Sequence, residues 1–582
     1  MNRMFRMIGL AVCGGVFCVS LHGQELNPVP YGQLRVSGEL ETRSLRNFDR
    51  LESDIYTPDN VFPVAHEGVS AGWPGDYEGR IILGLTLQAQ ATHREPKYLA
   101  ELIDRIDTRV NAKGYLGPIM QDSILEQQLS GHGWLLRGLC EYYAWKQDDR
   151  VKQHIKNIIT NLALPTKGYH AKYPIDPDER LHDVGEASGT TQNAIGNWLL
   201  SSDIGCDFIF MDGVIHAYTL FPDPELKGLI DEMVARFLQM DLVRIKAQTH
   251  ATLTAIRGLL RYYEVTKDDK LLKAAANRYA LYRDEAMTET YANFNWFGRP
   301  EWTEPCAIVD AFMVATQLWQ DSGDPHYLQD AHLIYYNAMT HAQRANGGFG
   351  LDNCPGPEDD VLSVHTDEAY WCCTMRGGEG LAAAIQYTYF TGGKNRVYLP
   401  FFNTSEVSVP RSGGETTLLQ RSQYPYKGHI ELEVLATQGN NNATRLHLFA
   451  PEWAEDPAIT VNGSPVSYGK KAGFLVVRSK LKQGDKIQYT FSMQPRLQPL
   501  SNTTIDRPGD RKISYGPLVL GHPGSEKRVL SEATPINRLG KDKWQVGESD
   551  PYSLTPIFHT LDPAVREGAT YHKQVIFEVK DH

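Results

Sequence analysis

From about residue 77 to residue 384, apolar positions recur with helical spacing, in broad stripes separated by short polar turns. One junction repeats: an apolar helix, a turn carrying Asp or Pro, then a second helix that opens on a bulky apolar residue. It occurs at Glu95-Pro96-Lys97-Tyr98-Leu99, Asp148-Asp149-Arg150-Val151, Asp223-Pro224-Glu225-Leu226, Asp268-Asp269-Lys270-Leu271 and Asp324-Pro325-His326-Tyr327-Leu328. The interval is roughly 50 residues, the period of repeated helical hairpins. Proline suits the start of the second helix, where its missing N–H would have no partner in any case. Five junctions and a last helix after Arg376 predict six hairpins closed into a toroid. An open solenoid is the alternative, and the breadth of the apolar stripes and the lack of a polar capping repeat argue against it.

After Lys394 the period changes to two. Residues 397–399, 429–435, 444–449, 474–477 and 487–491 read as strands, with turns at Asn462-Gly463 and Gly484-Asp485. That is the pattern of a β-sandwich. Residues 513–520 and 574–579 are further strand candidates, and 34–43 reads as a strand-rich lead-in. The predicted chain is multidomain: an all-α (α/α)6 toroid followed by all-β sandwich modules. Its segments are a signal peptide (1–23), a β lead-in (24–44), the toroid (45–395), a sandwich (396–500) and a C-terminal β-rich segment (501–582).

A length of 582 residues supports several hydrophobic cores. The formal net charge of −12 argues against nucleic acid as the main partner, since phosphate binding needs a basic face. Arg3 and Arg6 precede an apolar run over residues 7–21, and Gly23-Gln24 is a plausible cleavage point. The run is short for a membrane span, and no other stretch is long and apolar enough for one. The expectation is export to the periplasm with no transmembrane segment in the mature chain, ahead of a lipid anchor on Cys13 or Cys18 or release into the medium. Ten Trp and 29 Tyr suit stacking against sugars, though cores and sheets use such rings too.

Without the leader, six cysteines remain: Cys140, Cys206, Cys306, Cys354, Cys372 and Cys373. Export favours disulfides. Adjacent Cys372 and Cys373 bridge only with a strained backbone, so metal binding or catalysis gains weight for that pair. Glu304, Cys306, Cys372 and Cys373 offer one carboxylate and three thiolates, the right number for a tetrahedral zinc ion. The competing reading has Cys306 as core filler and Cys372 as an ordinary buried thiol. Glu289 precedes Glu304 by 15 residues, across a segment rich in rings that includes Tyr291, Phe294, Trp296 and Phe297. A carboxyl group among rings at a barrel mouth has the raised pKa of a general acid; the alternative is a solvated loop glutamate. His132 and His250 each open a long apolar helix and are either pocket residues or satisfied rim histidines. Asp76, Glu78 and Arg80, after Trp73-Pro74, are either helix-end charges or a pocket wall.

These residues resemble glycoside hydrolase family 127 and its relative family 146, the β-L-arabinofuranosidase group. The likeness rests on Glu304-Pro305-Cys306 followed by Cys372-Cys373. It extends to 73–80 (Trp-Pro-Gly-Asp-Tyr-Glu-Gly-Arg), Gly114-Tyr115-Leu116-Gly117, Gly131-His132, Thr249-His250-Ala251, Ala450-Pro451-Glu452-Trp453-Ala454 and Tyr515-Gly516-Pro517-Leu518-Val519. It covers residues from about 38 to 520. The resemblance implies Zn2+ held by Glu304, Cys306, Cys372 and Cys373, with Cys372 as the nucleophile and Glu289 as acid/base. It places His132 and His250 at the substrate, an oligosaccharide cut from its end with retention of configuration; Trp73, Asp76 and Trp296 are further substrate-binding candidates from their place at the barrel mouth. Two departures bear on the sugar. Val184-Gly185-Glu186-Ala187-Ser188 stands where the family often carries a His-x-x-Ile-Glu segment, and Thr374-Met375-Arg376-Gly377-Gly378 replaces a Pro-rich turn. The sugar is therefore β-L-arabinofuranose or a related furanose or acidic sugar of plant or algal glycans. Two other classes stay open: a lyase or dehydratase acting on a uronic-acid end with a His or Tyr base, and a non-catalytic glycan-binding protein. The sequence does not specify an oligomeric state.

Overall fold

The computed structural model describes residues 26–580 apart from 63–71, 181–190, 394, 412, 440–443, 549, 560 and 562–571. The leader and residues 184–188 lie outside the described residues.

Among the described residues, twelve helices of eight residues or more build the first body. They are α1 (Glu39–Leu51), α2 (Asp76–Thr92), α3 (Leu99–Ile106), α4 (Glu126–Lys146), α5 (Asp149–Ile158), α6 (Asp207–Leu220), α7 (Pro224–Gln239), α8 (Thr249–Thr266), α9 (Asp269–Glu285), α10 (Pro305–Ser322), α11 (Pro325–Leu333) and α12 (Cys373–Gln386). The even-numbered helices form an inner ring: α2 packs on α4, α4 on α6, and so on to α12, which packs back on α2. The odd-numbered helices lie outside, each against an inner neighbour, and α1 covers the seam between α12 and α2. The ring is closed, as the hairpin count predicts.

The repeated junction has a local cause. Asp148, Asp223, Asp268 and Asp324 are the N-caps of α5, α7, α9 and α11, each accepting from a backbone N–H one turn in. Such a cap is worth about 1 kcal/mol, so each turn specifies where its outer helix starts. Pro224 and Pro325 follow in the first turn, where proline removes no hydrogen bond. The first junction differs, since no side chain caps α3. Inner helices touch backbone to backbone where glycine allows it. A Cβ on Gly79 would sit 2.2 Å from the nitrogen of Leu135, and one on Gly213 would sit 2.4 Å from the carbonyl oxygen of Gly133.

Inside the ring the charges are paired. Arg137 meets Asp212 at 2.7 Å and Glu379 at 2.9 Å; Arg257 meets Asp310 at 2.8 Å and Glu379 at 2.9 Å. Arg376 pairs with Asp310 and Glu379. Arg261 reaches Asp212 at 3.1 Å. The network ties α4, α6, α8, α10 and α12 together. Buried ions are tolerable only when partnered in this way.

Two sheets form the sandwich. One is six-stranded and the other seven-stranded, and the two short N-terminal strands Leu26–Pro28 and Leu34–Val36 complete one edge of each. Tyr489 of one sheet donates to the carbonyl of Phe449 in the other at 3.1 Å. The lead-in is thus only partly strand, because Gly38 begins the turn into α1 and the chain is helical from Glu39. The sandwich is packed on the ring. His332 of α11 stacks on Phe401 at 4.7 Å, and Trp319 of α10 meets Phe390 edge-on at 5.1 Å. A third sheet runs from Pro495–Pro499 through the C-terminal segment, and its last strand, Phe577–Glu578, pairs with Asp510–Tyr515.

Candidate active site

All inner helices run the same way, so their N-termini gather at one end of the ring, where a cavity of about 520 Å³ opens. Its wall contains Asp76 of α2, Asp203 before α6, Gln248 and His250 at the start of α8, Glu304 before α10, and Cys372 and Cys373 at the start of α12. Each helix end brings unpaired N–H groups and the positive pole of its dipole, which favours anions such as thiolates. Trp73, Trp302 and Trp371 add ring faces, and Trp371 is 38% exposed.

The cysteine cluster follows from two helix starts. Glu304 is the N-cap of α10, Pro305 its first residue and Cys306 its second. Cys372 is the N-cap of α12 and Cys373 its first residue. One oxygen of Glu304 and the sulfurs of Cys306, Cys372 and Cys373 lie within 4.8 Å of one another. Cys373 is 3.2 Å from Cys372 and 3.5 Å from Cys306, too long for a disulfide, and all six described cysteines are free. Such a buried set can hold a metal ion.

The three thiols differ. Hydrogen bonds from Cys306 and Cys373 pull Cys372 down to about 6, in spite of burial and the Glu304 carboxylate. Burial pushes Cys306 up to about 11 and Cys373 well above its ordinary value. Cys372 is the most acidic of the trio and the one that is partly exposed. Glu304 is also buried and its pKa raised, but His250 Nδ1 lies 3.1 Å from its Oε1 and Gln248 Nε2 donates to its Oε2 at 3.3 Å. Burial alone would lower the His250 pKa; Glu304 and Cys306 outweigh it, and the shift is upward. Arg80 forms a two-pronged pair with Asp76 at 2.7 and 2.9 Å and points a third nitrogen at the Cys306 sulfur, 3.5 Å away. Among the described residues, two polar side chains of the wall have no partner: Asn295, with both amide atoms buried, and Ser130.

Comparison with known sequences links this site to a family. The sequence model of the β-L-arabinofuranosidase GH127 catalytic domain matches residues 238–385, the span that holds His250, Glu304 and all three clustered cysteines. The model of the GH127 middle domain matches residues 396–493, within the sandwich. Both matched stretches are similar to family GH127. A non-reducing end β-L-arabinofuranosidase of Bifidobacterium longum subsp. longum is 28% identical over 179 residues, 29% of this chain and 26% of the relative. The matched part of this chain thus spans about a quarter of that curated relative. A solved GH127 β-arabinofuranosidase shares the fold with a TM-score of 0.70 at 15% identity, over 96% of this chain and 98% of that one. A GH127 β-L-arabinofuranosidase from Geobacillus stearothermophilus T6 aligns with a TM-score of 0.67 at 14% identity, over 94% and 100% of the two chains.

The structure corrects three of the expected site residues. Glu289 is fully buried and does not line the cavity. Its carboxylate accepts from the N–H groups of Ser501 and Asn502 at 2.7 and 2.8 Å and pairs with Lys512 at 2.7 Å, so it anchors the C-terminal segment to the barrel. Those partners lie more than 200 residues away in sequence, which hides them from any local reading. His132 is also buried away from the cavity. Its Nδ1 pairs with the carbonyl of Gln128 at 2.8 Å, and its Nε2 accepts from Leu116 N–H at 3.1 Å. Burial lowers its pKa to about 4, so it is a neutral strut. Trp296 has no exposed surface and packs edge-on behind Trp302 at 5.1 Å. Trp302, overlooked in the sequence, is the ring that faces the cavity, stacked on His365 at 5.7 Å. Its signal was its position two residues before Glu304. Asp203, Asn295 and Ser130 carried no motif that would single them out. Trp73, Asp76 and His250 do line the cavity, with the four clustered ligands.

Proposed function

We propose that this chain is an exo-acting retaining glycoside hydrolase that releases an arabinofuranose-type residue from plant or algal oligosaccharides, with Cys372 as nucleophile in a zinc–thiolate centre. The observation that carries the reading is the position of Cys372: the most acidic thiol of the cluster, at a helix N-terminus, open to the cavity. The four donors suit zinc. Three sulfurs and one oxygen, close to one another and mostly buried, match a tetrahedral site of Zn–S bonds near 2.3 Å. Glu304, Cys306, Cys372 and Cys373 would hold the ion, which keeps the thiols deprotonated at neutral pH.

In this reading Cys372 Sγ attacks the anomeric carbon, the bond to the departing oxygen breaks, and a thioglycoside forms on the chain. Water then displaces the sulfur, and two inversions return the original configuration. His250 and Gln248 orient Glu304, and Arg80 faces the cluster with its charge balanced by Asp76. Trp73, Trp302 and Trp371 supply faces for the sugar. Arg80 is paired with Asp76 and His250 with Glu304, so neither of these wall cations is left over for a uronate, which favours the neutral furanose over the lyase alternative. The leader-like N-terminus supports a periplasmic location.

The test is incubation with 4-nitrophenyl β-L-arabinofuranoside and with arabinan oligosaccharides. Release of arabinose with retained configuration, and a sugar adduct on the Cys372 peptide, are expected. A new double-bond absorbance without free arabinose would replace this reading with elimination.

A further inference from the structure

A glycan that is cut from its end enters a cavity tip first. The paired charges inside the ring are almost wholly buried, so the cavity opens at one end. The inner part of its wall is buried too: Cys206, Ile209, His250 and Cys373 are at most 3% exposed. The segment from His365 to Cys373 runs along that wall from the mouth inward. His365 and Trp371 are exposed, Cys372 is half-buried and Cys373 is fully buried. The terminal sugar passes the exposed residues to bring its anomeric carbon to Cys372 Sγ, and the rest of the glycan stays among them. We propose that Trp371 is the platform for the sugar that leaves with the departing oxygen; this rests on the hydrolase reading above and names the second half of its substrate.

Trp371 is the most exposed of the ten tryptophans. Seven large apolar side chains are exposed among the described residues, and of these Trp371 alone lines the cavity. A ring left in water one residue from the nucleophile suits contact with the apolar C–H face of a sugar. The ring is also held in place. Tyr370 meets it edge-on at 5.2 Å, and Tyr56 Oη donates to the Tyr370 carbonyl at 2.7 Å. Cys372 N–H donates to the Ala369 carbonyl at 3.3 Å, and Ala369 N–H donates to the Phe349 carbonyl at 2.8 Å. A platform fixed before its ligand arrives loses little freedom on binding.

The platform takes a neutral sugar. Leu351, His365, Thr366 and Ala369 are the other wall residues between Leu351 and Trp371, and none is a lysine or arginine. A uronate on the departing side would find no permanent cation there. The Trp302–His365 stack at the same mouth adds a second ring surface without charge of its own at neutral pH.

The test compares a β-L-arabinofuranosyl disaccharide with methyl β-L-arabinofuranoside on the full chain and on its Trp371→Ala and Trp371→Phe variants. Both substrates lose an alkoxide, and they differ in the second sugar. The wild type should prefer the disaccharide in kcat/KM. Trp371→Ala should lose at least about tenfold more on the disaccharide than on the methyl glycoside, which is about 1.4 kcal/mol of that preference. Trp371→Phe keeps a ring and should keep most of the preference. Each preference is a ratio measured on one preparation, so a change in the folded fraction cancels. A wild type without the preference, equal losses on the two substrates by Trp371→Ala, or no loss on either would overturn the platform while leaving the hydrolase reading intact. A wild type that releases sugar from neither substrate removes the hydrolase reading, and the platform with it.

Discussion

Glu289 Oε2 and Lys512 Nζ are joined at 2.7 Å across the seam between the barrel and the C-terminal sheet, with neither side chain more than 3% exposed. Ser501 and Asn502 complete the carboxylate's shell, and Lys512 also lies 4.5 Å from the centre of the Tyr291 ring. The aromatic loop that looks like a setting for a general acid is therefore a socket for the neighbouring domain.

Glu289→Gln leaves Lys512 buried without its counter-charge. Removing one member of a buried pair costs about 3–5 kcal/mol. The expected outcome is a clear drop in melting temperature, with the activity per folded molecule little changed. Replacing both partners, as Glu289→Gln with Lys512→Met, should recover part of the loss. Differential scanning calorimetry of the two variants measures this, and a single variant as stable as the double one would contradict it.

The metal reading predicts about one zinc per chain by elemental analysis. A strong chelator should abolish activity and lower the melting temperature, because two buried thiols, the half-buried Cys372 and a buried carboxyl would then face one another. Added zinc should restore both, and magnesium, which prefers oxygen ligands, should not.

The two adjacent cysteines should separate by their losses. Cys373→Ser should cost zinc and stability together, since Cys373 is fully buried within the cluster. Cys372→Ser should abolish turnover by about 10³-fold or more, because an alcohol is a far weaker nucleophile than a thiolate at neutral pH. It should form no sugar adduct. Near-normal turnover of Cys372→Ser would end the proposed mechanism.

The ring was legible in the sequence because its signals are local. An Asp cap with an apolar residue shortly after it marks each outer helix from α5 to α11, and caps act within one turn. The ligand cluster was legible because two short motifs at helix starts carry all four donors. What was not legible depends on distant partners. His132 looks like a pocket histidine until Leu116 and Gln128 take both ring nitrogens, and Glu289 looks catalytic until the chain returns at Ser501 and Lys512. Trp296 and Trp302 lie six residues apart in one loop, and only the fold decides which faces the cavity. Leu26–Pro28 and Leu34–Val36 were too short to assign to the sandwich before their partner strands were placed.

That pair of tryptophans makes a direct contrast. Trp302→Ala removes a ring that is partly exposed in the wall and stacked on His365. It should raise KM about tenfold with a small change in stability. Trp296→Ala empties a fully buried site, at a cost of about 3–5 kcal/mol. Thermal melts and Michaelis curves on both variants test it, and the reverse pattern would mean that Trp296 holds the sugar after all.

Glu78 gives the pH prediction. Its Oε2 accepts from Gly75 N–H at 3.1 Å at the start of α2, and burial, with Asp76 nearby, raises its pKa to about 8. The ordinary value is about 4.3. A carboxyl raised on folding is protonated in the folded chain while the unfolded chain already ionises. Its contribution is complete below pH of about 4, and it is lost as pH rises through about 8. Each unit of difference is worth about 1.4 kcal/mol, so the effect amounts to a few kcal/mol. Glu78→Gln keeps an acceptor for Gly75 and removes the titration. The stability of the wild type should therefore fall relative to that of Glu78→Gln between pH 5 and pH 8, with the gap levelling off above. Urea unfolding of the pair across that range measures the difference directly, because every other titrating group is common to both chains. Parallel curves would show that Glu78 is ionised in the folded chain, with its charge balanced at the mouth of the cavity.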